Sequence, residues 1–150
     1  MAQDRERQHQ RNGRNAGGER RGPSRAQLAT RHIAQMGQLF SAEIAASLAG
    51  TREVSGMPAA PAREGVVPQV EVVEEDSTSA VLRLGRGIAS RCDMAMLDFA
   101  SFVNPGGGYE RGAWAQEEAL CSESFLYNVL SQKRDWYGEN RRRNINCELY

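Results

Sequence analysis

A chain of 150 residues suits one domain, and 40% apolar with 25% charged residues is an ordinary soluble composition. The 19 basic and 19 acidic residues balance, so no global field draws the chain to nucleic acid or to a membrane. No apolar run of the roughly eighteen residues that a spanning helix needs is present, and no signal-peptide core follows Met1.

The first stretch, Met1 to Arg25, carries seven arginines against Asp4, Glu6 and Glu19 and almost nothing apolar. Such a segment cannot bury enough surface to offset the entropy of ordering. A disordered basic tail is expected over 1–23, with the folded unit over 24–150. The tail could also touch RNA or an anionic polymer, but it has no aromatic residues for base stacking.

From Ser24 the apolar residues Leu28, Ile33, Met36, Leu39, Phe40, Ile44 and Leu48 recur at spacings of three to five, apart from the adjacent pair Leu39-Phe40. This predicts an amphipathic helix capped by Ser24 and stopped by Gly50, with His32 on its polar face. Gly56-Met57-Pro58 and Pro61 mark a connection. Val70 and Val72 within Gln69 to Glu74 predict a first strand, and Ser77-Thr78-Ser79 can cap a short helix over Ala80 to Ile88. Met94 to Phe99 is long enough for a buried strand and too short for a buried helix.

That second strand must end at Asn104-Pro105-Gly106-Gly107-Gly108, which fits neither a helix nor a central strand. Ala113 to Leu130 then has helix composition. Strand, helix, strand, glycine loop, helix predicts an α/β domain, a mixed sheet with flanking helices. The glycine triplet removes every Cβ at one place, so a ligand can touch backbone N–H groups directly, and free amides ahead of a helix suit a pyrophosphate. Glu117 and Glu118 follow at the start of the helix, beside whatever the loop holds. The plainer readings are a flexible glycine connection and a pair of glutamates that complement the helix dipole.

The triplet Gly106-Gly107-Gly108, seven intervening residues from Tyr109 to Ala115, and then Gln116-Glu117-Glu118 resembles the GGG…QEE signature of poly(ADP-ribose) glycohydrolases. The surrounding text, LDFASFVNPGGGYERGAWAQEEALCSESFLYNVL, is similar to the bacterial-type branch, whose catalytic unit is a macrodomain. The likeness extends upstream to Arg31 and downstream through Trp136-Tyr137-Gly138-Glu139-Asn140-Arg141 to Tyr150. The family continues past the position of Tyr150, so a macrodomain truncated at its C-terminus is expected.

The resemblance implies hydrolysis of the ribose–ribose O-glycosidic bonds of poly(ADP-ribose), with release of ADP-ribose. Glu118 would be the general acid and base. Glu117 would hold ribose hydroxyls, and Asn104, Gly106, Gly107, Gly108 and Gln116 would bind substrate. An early helical position lowers a carboxyl pKa and opposes the role of acid, so desolvation and the pyrophosphate charge must act the other way. The alternative is an ADP-ribose-binding macrodomain fragment without turnover. An unrelated nucleotide-binding domain is disfavoured, because neither GxGxxG nor GxxxxGK[ST] is present.

Tyr109, Arg111 and Trp114 lie in the signature spacer, placed to line the site. The run Arg141-Arg142-Arg143 beside Trp136 and Tyr137 reads as a solvated turn or as a phosphate contact. Ile145 to Tyr150 is strand-like. No cofactor and no metal is implied: Cys92, Cys121 and Cys147 lack metal-ligand spacing, with or without His9 or His32, and fit reduced thiols in a cytoplasm. The expected partners are poly(ADP-ribose) or ADP-ribose conjugates, with no membrane and no specific nucleic acid. A monomer is expected if the domain is complete, whereas an unfinished sheet would leave an open edge.

Overall fold

The computed structural model describes residues 22–54, 59, 65, 67–85 and 94–146. In chain order these form α1 (Arg25–Leu39), α2 (Ser41–Gly50), α3 (Ser77–Leu84), a 3₁₀ turn (Tyr109–Arg111), α4 (Gln116–Ser122), α5 (Leu126–Leu130) and α6 (Arg134–Ile145). There is no strand among the described residues. The expected α/β mixed sheet and macrodomain-like fold are therefore corrected to a helical assembly. Residues 67–76 and 94–101, which include both expected strands, have no regular secondary structure. Alternation is a property of one segment, but a strand needs a neighbour whose N–H and C=O groups align with its own.

Ser24 caps α1 as expected. Its hydroxyl accepts from the Gln27 N–H at 3.3 Å, and the Gln27 side chain accepts from the Ser24 N–H at 2.8 Å, a reciprocal capping box. The predicted single helix is broken at Phe40 (φ −124°, ψ 32°), which lets the Phe40 ring lie 5.9 Å from that of Phe125 while Ile44 is buried from α2. Asp76, rather than Ser77 to Ser79, caps α3, accepting from the Ser79 N–H at 2.9 Å. The helix stops at Leu84; Ile88 lies outside the described residues, as do the tail over 1–21, Gly56-Met57-Pro58 and Pro61.

The expected helix from Ala113 to Leu130 is two short ones. Ser122 Oγ donates to the Ala119 carbonyl at 2.8 Å and Ser124 Oγ to the Leu120 carbonyl at 2.7 Å, so hydroxyls take carbonyls at the C-terminal end of α4. The same Ser124 hydroxyl accepts from the Leu126 N–H at 3.1 Å and starts α5. The arginine run, expected as a solvated turn or a phosphate contact, lies within α6 rather than in a turn, and Ile145, expected to open a strand-like segment, is the last residue of that helix; 147–150 lie outside the described residues.

The core is small. Ala29 of α1, Tyr109, Cys121 of α4 and Tyr127 of α5 pack together, with Ile33 and Leu126 against them. His32 is not merely a polar-face residue: its Nδ1 lies 2.9 Å from the Tyr109 hydroxyl and ties α1 to the spacer. Asn128 donates to the Ile33 carbonyl at 3.0 Å, which ties α1 to α5. The Cys121 thiol is wholly buried, and burial pushes its pKa up to about 12, so it is an inert core group.

Candidate active site

Gly106 and Gly107 adopt φ of +65° and +60°, the left-handed region that glycine enters without steric penalty. A Cβ on Gly106 would stand 2.7 Å from Tyr127 Cδ2, and one on Gly107 would stand 2.6 Å from Glu118 Oε1 and 3.2 Å from Glu117 Oε2. The triplet therefore lets the backbone run against both carboxylates and the Tyr127 ring. Its amides are engaged inside the chain: the Gly107 N–H donates to the Asn104 carbonyl at 3.0 Å, and the Gly108 N–H to Glu118 Oε1 at 2.8 Å.

Glu117 and Glu118 open α4 and are 3% and 7% exposed. Glu117 Oε2 accepts from the Ser101 N–H at 2.7 Å, while its Oε1 is buried with no partner among the described residues. Burial, and then the charges of Asp98 and Glu118, raise the Glu117 pKa against the lowering effect of the Ser101 N–H bond and of the Gly106 amide nearby. Asp98 is the residue that sequence reasoning missed. Its Oδ1 is buried without a partner among the described residues, and burial and then Glu118 raise its pKa. The signal was a single charge closing the apolar run Met94-Ala95-Met96-Leu97.

The raised Glu117 pKa carries a stability cost that depends on pH. A carboxyl whose folded pKa lies above its unfolded value contributes stability below the unfolded value and loses it as pH rises through the folded one. Glu117→Gln keeps an acceptor for the Ser101 N–H and cannot ionise. It is expected to unfold at a higher temperature than the parent at pH 7, with the gap closing as pH falls toward 4.5, the ordinary glutamate value. Thermal scans across that range check it; an equal or lower midpoint at pH 7 would contradict the assignment.

Gln116 is brought to a neighbouring place. Its Oε1 accepts from the Phe99 N–H at 2.8 Å, and its Nε2 donates to the Leu97 carbonyl at 3.0 Å and to Ser77 Oγ at 3.2 Å. The carboxamide thus bonds one edge of the segment 97–99, as a neighbouring strand would, and it fixes the backbone on both sides of Asp98. Removing these bonds in Gln116→Ala is expected to destabilise the protein by about 1–2 kcal/mol and to speed cleavage within 94–100. Urea unfolding with limited proteolysis reads both effects; an unchanged midpoint would show that the segment holds itself.

The Ser101 N–H that orients Glu117 is braced from α6. Asn140 Nδ2 donates to the Phe102 carbonyl at 2.9 Å and Arg141 Nε to the Val103 carbonyl at 2.8 Å. Ser101 Oγ accepts from the Asn104 N–H at 3.1 Å and folds the turn from within. Asn104 contributes its backbone to this turn through its N–H and carbonyl. On the other side of the spacer, the Arg25 guanidinium lies 5.4 Å from the Trp114 ring centre, and Arg111 Nη2 donates to the Gly107 carbonyl at 3.4 Å. Among the described residues no cluster of three His, Cys, Asp or Glu side chains could hold a metal, and no helix is long and apolar enough to cross a membrane.

Glu117 and Glu118, two buried helix-borne carboxylates held by backbone N–H groups, thus stand beside a third carboxylate, that of Asp98. In the family comparison, the model of the microbial-type PARG catalytic domain, PARG being poly(ADP-ribose) glycohydrolase, matches residues 15–148. The chain belongs to that family. No curated protein and no solved structure gives a significant match.

Proposed function

We propose that this chain hydrolyses the ribose–ribose O-glycosidic bonds of poly(ADP-ribose) and releases ADP-ribose, with Glu118 as the general acid and base. The observation that carries the reading is the Glu118 carboxylate, almost fully buried and anchored on the Gly108 N–H at 2.8 Å. Membership of the microbial-type PARG family supports the substrate.

Glu118 in its acid form gives its proton to the leaving ribose oxygen as the bond from the anomeric carbon breaks. Positive charge then develops on that carbon and its ring oxygen. The Glu118 carboxylate takes a proton from the attacking water, whose oxygen bonds to the anomeric carbon, and the acid is restored. The Oε1 of Glu117 is a buried acceptor without a donor among the described residues, and a ribose hydroxyl supplies one. Asp98, half-buried near Glu118, adds a carboxylate whose negative charge favours the developing cation.

The test is incubation of the full chain with poly(ADP-ribose), with chromatography of the products and thermal unfolding with and without ADP-ribose. Release of ADP-ribose together with a raised midpoint is the expected outcome. A raised midpoint without release would make the chain an ADP-ribose-binding module. No change in either would remove the assignment.

A further inference from the structure

Behind Pro105, between the 3₁₀ turn, α5 and α6, lies a cavity that Asp98, Glu117 and Glu118 do not line. It has a volume of about 380 Å³, and its wall is completed by Glu110, Tyr127, Ser131, Arg134, Tyr137 and Arg141. That size falls within the range of small-molecule sites.

Arg134 is the first residue of α6, and Arg141 follows seven positions later on the same face, about 10 Å along the axis. Arg141 is held by its Nε bond to the Val103 carbonyl, so its guanidinium stands at the base of the glycine turn. The ion pairs among the described residues engage Arg83, Lys133 and Arg142, and none engages Arg134 or Arg141. Two guanidiniums sharing a cavity without a paired carboxylate repel each other, and a group with two negative charges offsets that repulsion. Guanidinium forks match phosphate oxygens two at a time.

The first turn of α6, a helix of 12 residues, adds its positive dipole end to the same wall. Glu110 is the acidic residue of the wall, and its carboxylate is engaged by the Tyr127 hydroxyl. The cavity also adjoins the catalytic carboxylates. Tyr137 lines it and lies close enough to Glu117 and Asp98 for their charges to act on its hydroxyl.

We propose that this cavity is an anion subsite for a pyrophosphate group, that of an ADP-ribose unit adjoining the one whose bond is cut. The polymer as the source of that pyrophosphate rests on the function proposed above. The subsite would hold the chain on the far side of the glycine turn from Glu118.

Calorimetric titration of inorganic pyrophosphate into the full chain tests the site itself. Arg134→Gln is expected to weaken binding about tenfold, and Glu110→Gln to strengthen it about threefold by removing a like charge. The strengthening cannot arise from a damaged fold. Pyrophosphate binding that is absent in the parent, or unchanged in both variants, would overturn the site.

A kinetic arm tests the source. Arg134→Gln is expected to raise KM for poly(ADP-ribose) about tenfold while leaving kcat, and KM for an O-glycoside of a single ADP-ribose unit with a neutral sugar alcohol, unchanged. Equal KM values for both substrates with pyrophosphate binding lost would make the site one for free phosphate anions and overturn the polymer assignment. Absence of turnover in the parent would remove the function and the polymer source together, while the pyrophosphate titration would still decide the site.

Discussion

Glu118→Gln is expected to lower kcat on poly(ADP-ribose) by about three orders of magnitude, within the range that a positioned acid/base group supplies and worth about 4 kcal/mol of barrier. The substitution keeps a carbonyl oxygen where Glu118 Oε1 accepts from the Gly108 N–H, so the turn and the helix start should stand. The midpoint of thermal unfolding and the affinity for ADP-ribose should therefore change little, since only proton transfer is removed. Rate, midpoint and affinity measured on one preparation separate chemistry from folding. Retention of more than a tenth of the parent rate would mean that another group, Glu117 or Asp98, carries the proton.

Gly107→Ala has the second largest expected effect, and it acts on two levels. At φ +60° a side chain costs roughly 1–2 kcal/mol of backbone strain. The new Cβ would also stand 2.6 Å from Glu118 Oε1 and 3.2 Å from Glu117 Oε2, so both carboxylates must move. A displacement of about an ångström in a catalytic group costs on the order of a hundredfold in rate. We expect about 2 kcal/mol lower stability and a rate about a hundredfold lower.

Gly138→Ala provides the contrast. Gly138 lies inside α6 with nothing within 4 Å of the position of a Cβ, so the substitution should stabilise by roughly 0.5–1 kcal/mol through helix propensity. Urea unfolding of the two variants, with their turnover, checks the pair. A Gly107→Ala protein with parental rate would show that the carboxylates are not held by contact with the turn.

The local punctuation was legible because it is local. Ser24 with Gln27 three residues on is a capping box in sequence and in structure, and Gly106-Gly107 takes the positive φ that only glycine enters freely. The adjacency of Glu117 and Glu118 to that turn was equally readable. What the glycines do there was not. Their amides were expected to face a ligand, whereas those of Gly107 and Gly108 bond to Asn104 and Glu118. Which acceptor an amide meets depends on how the chain returns, and the Ala113–Ala115 segment brings α4 back onto the turn.

The helix α6 was invisible to a reading by apolar period, because its polar residues run all round and its two buried side chains are Tyr137 and Asn140. Asn140 and Arg141 act at a distance of 38 residues in sequence, bonding the carbonyls of Phe102 and Val103. Asp98 was passed over for a similar reason. A lone aspartate after an apolar run has no local meaning until burial and the approach of Glu118 give it one.

The sequence by itself determined the helix start at Ser24, the left-handed glycine turn and the carboxylate pair that follows it, since each depends on residues within a few positions. The family was legible there too, since the family model that matches residues 15–148 reads the sequence alone. Only the tertiary structure decided that the two expected strands carry no ladder, that Gln116 takes the place of a strand neighbour, and that α6 holds the turn behind Glu117. These depend on which distant groups meet, and hydrogen bonding between segments is not written in the period of either one.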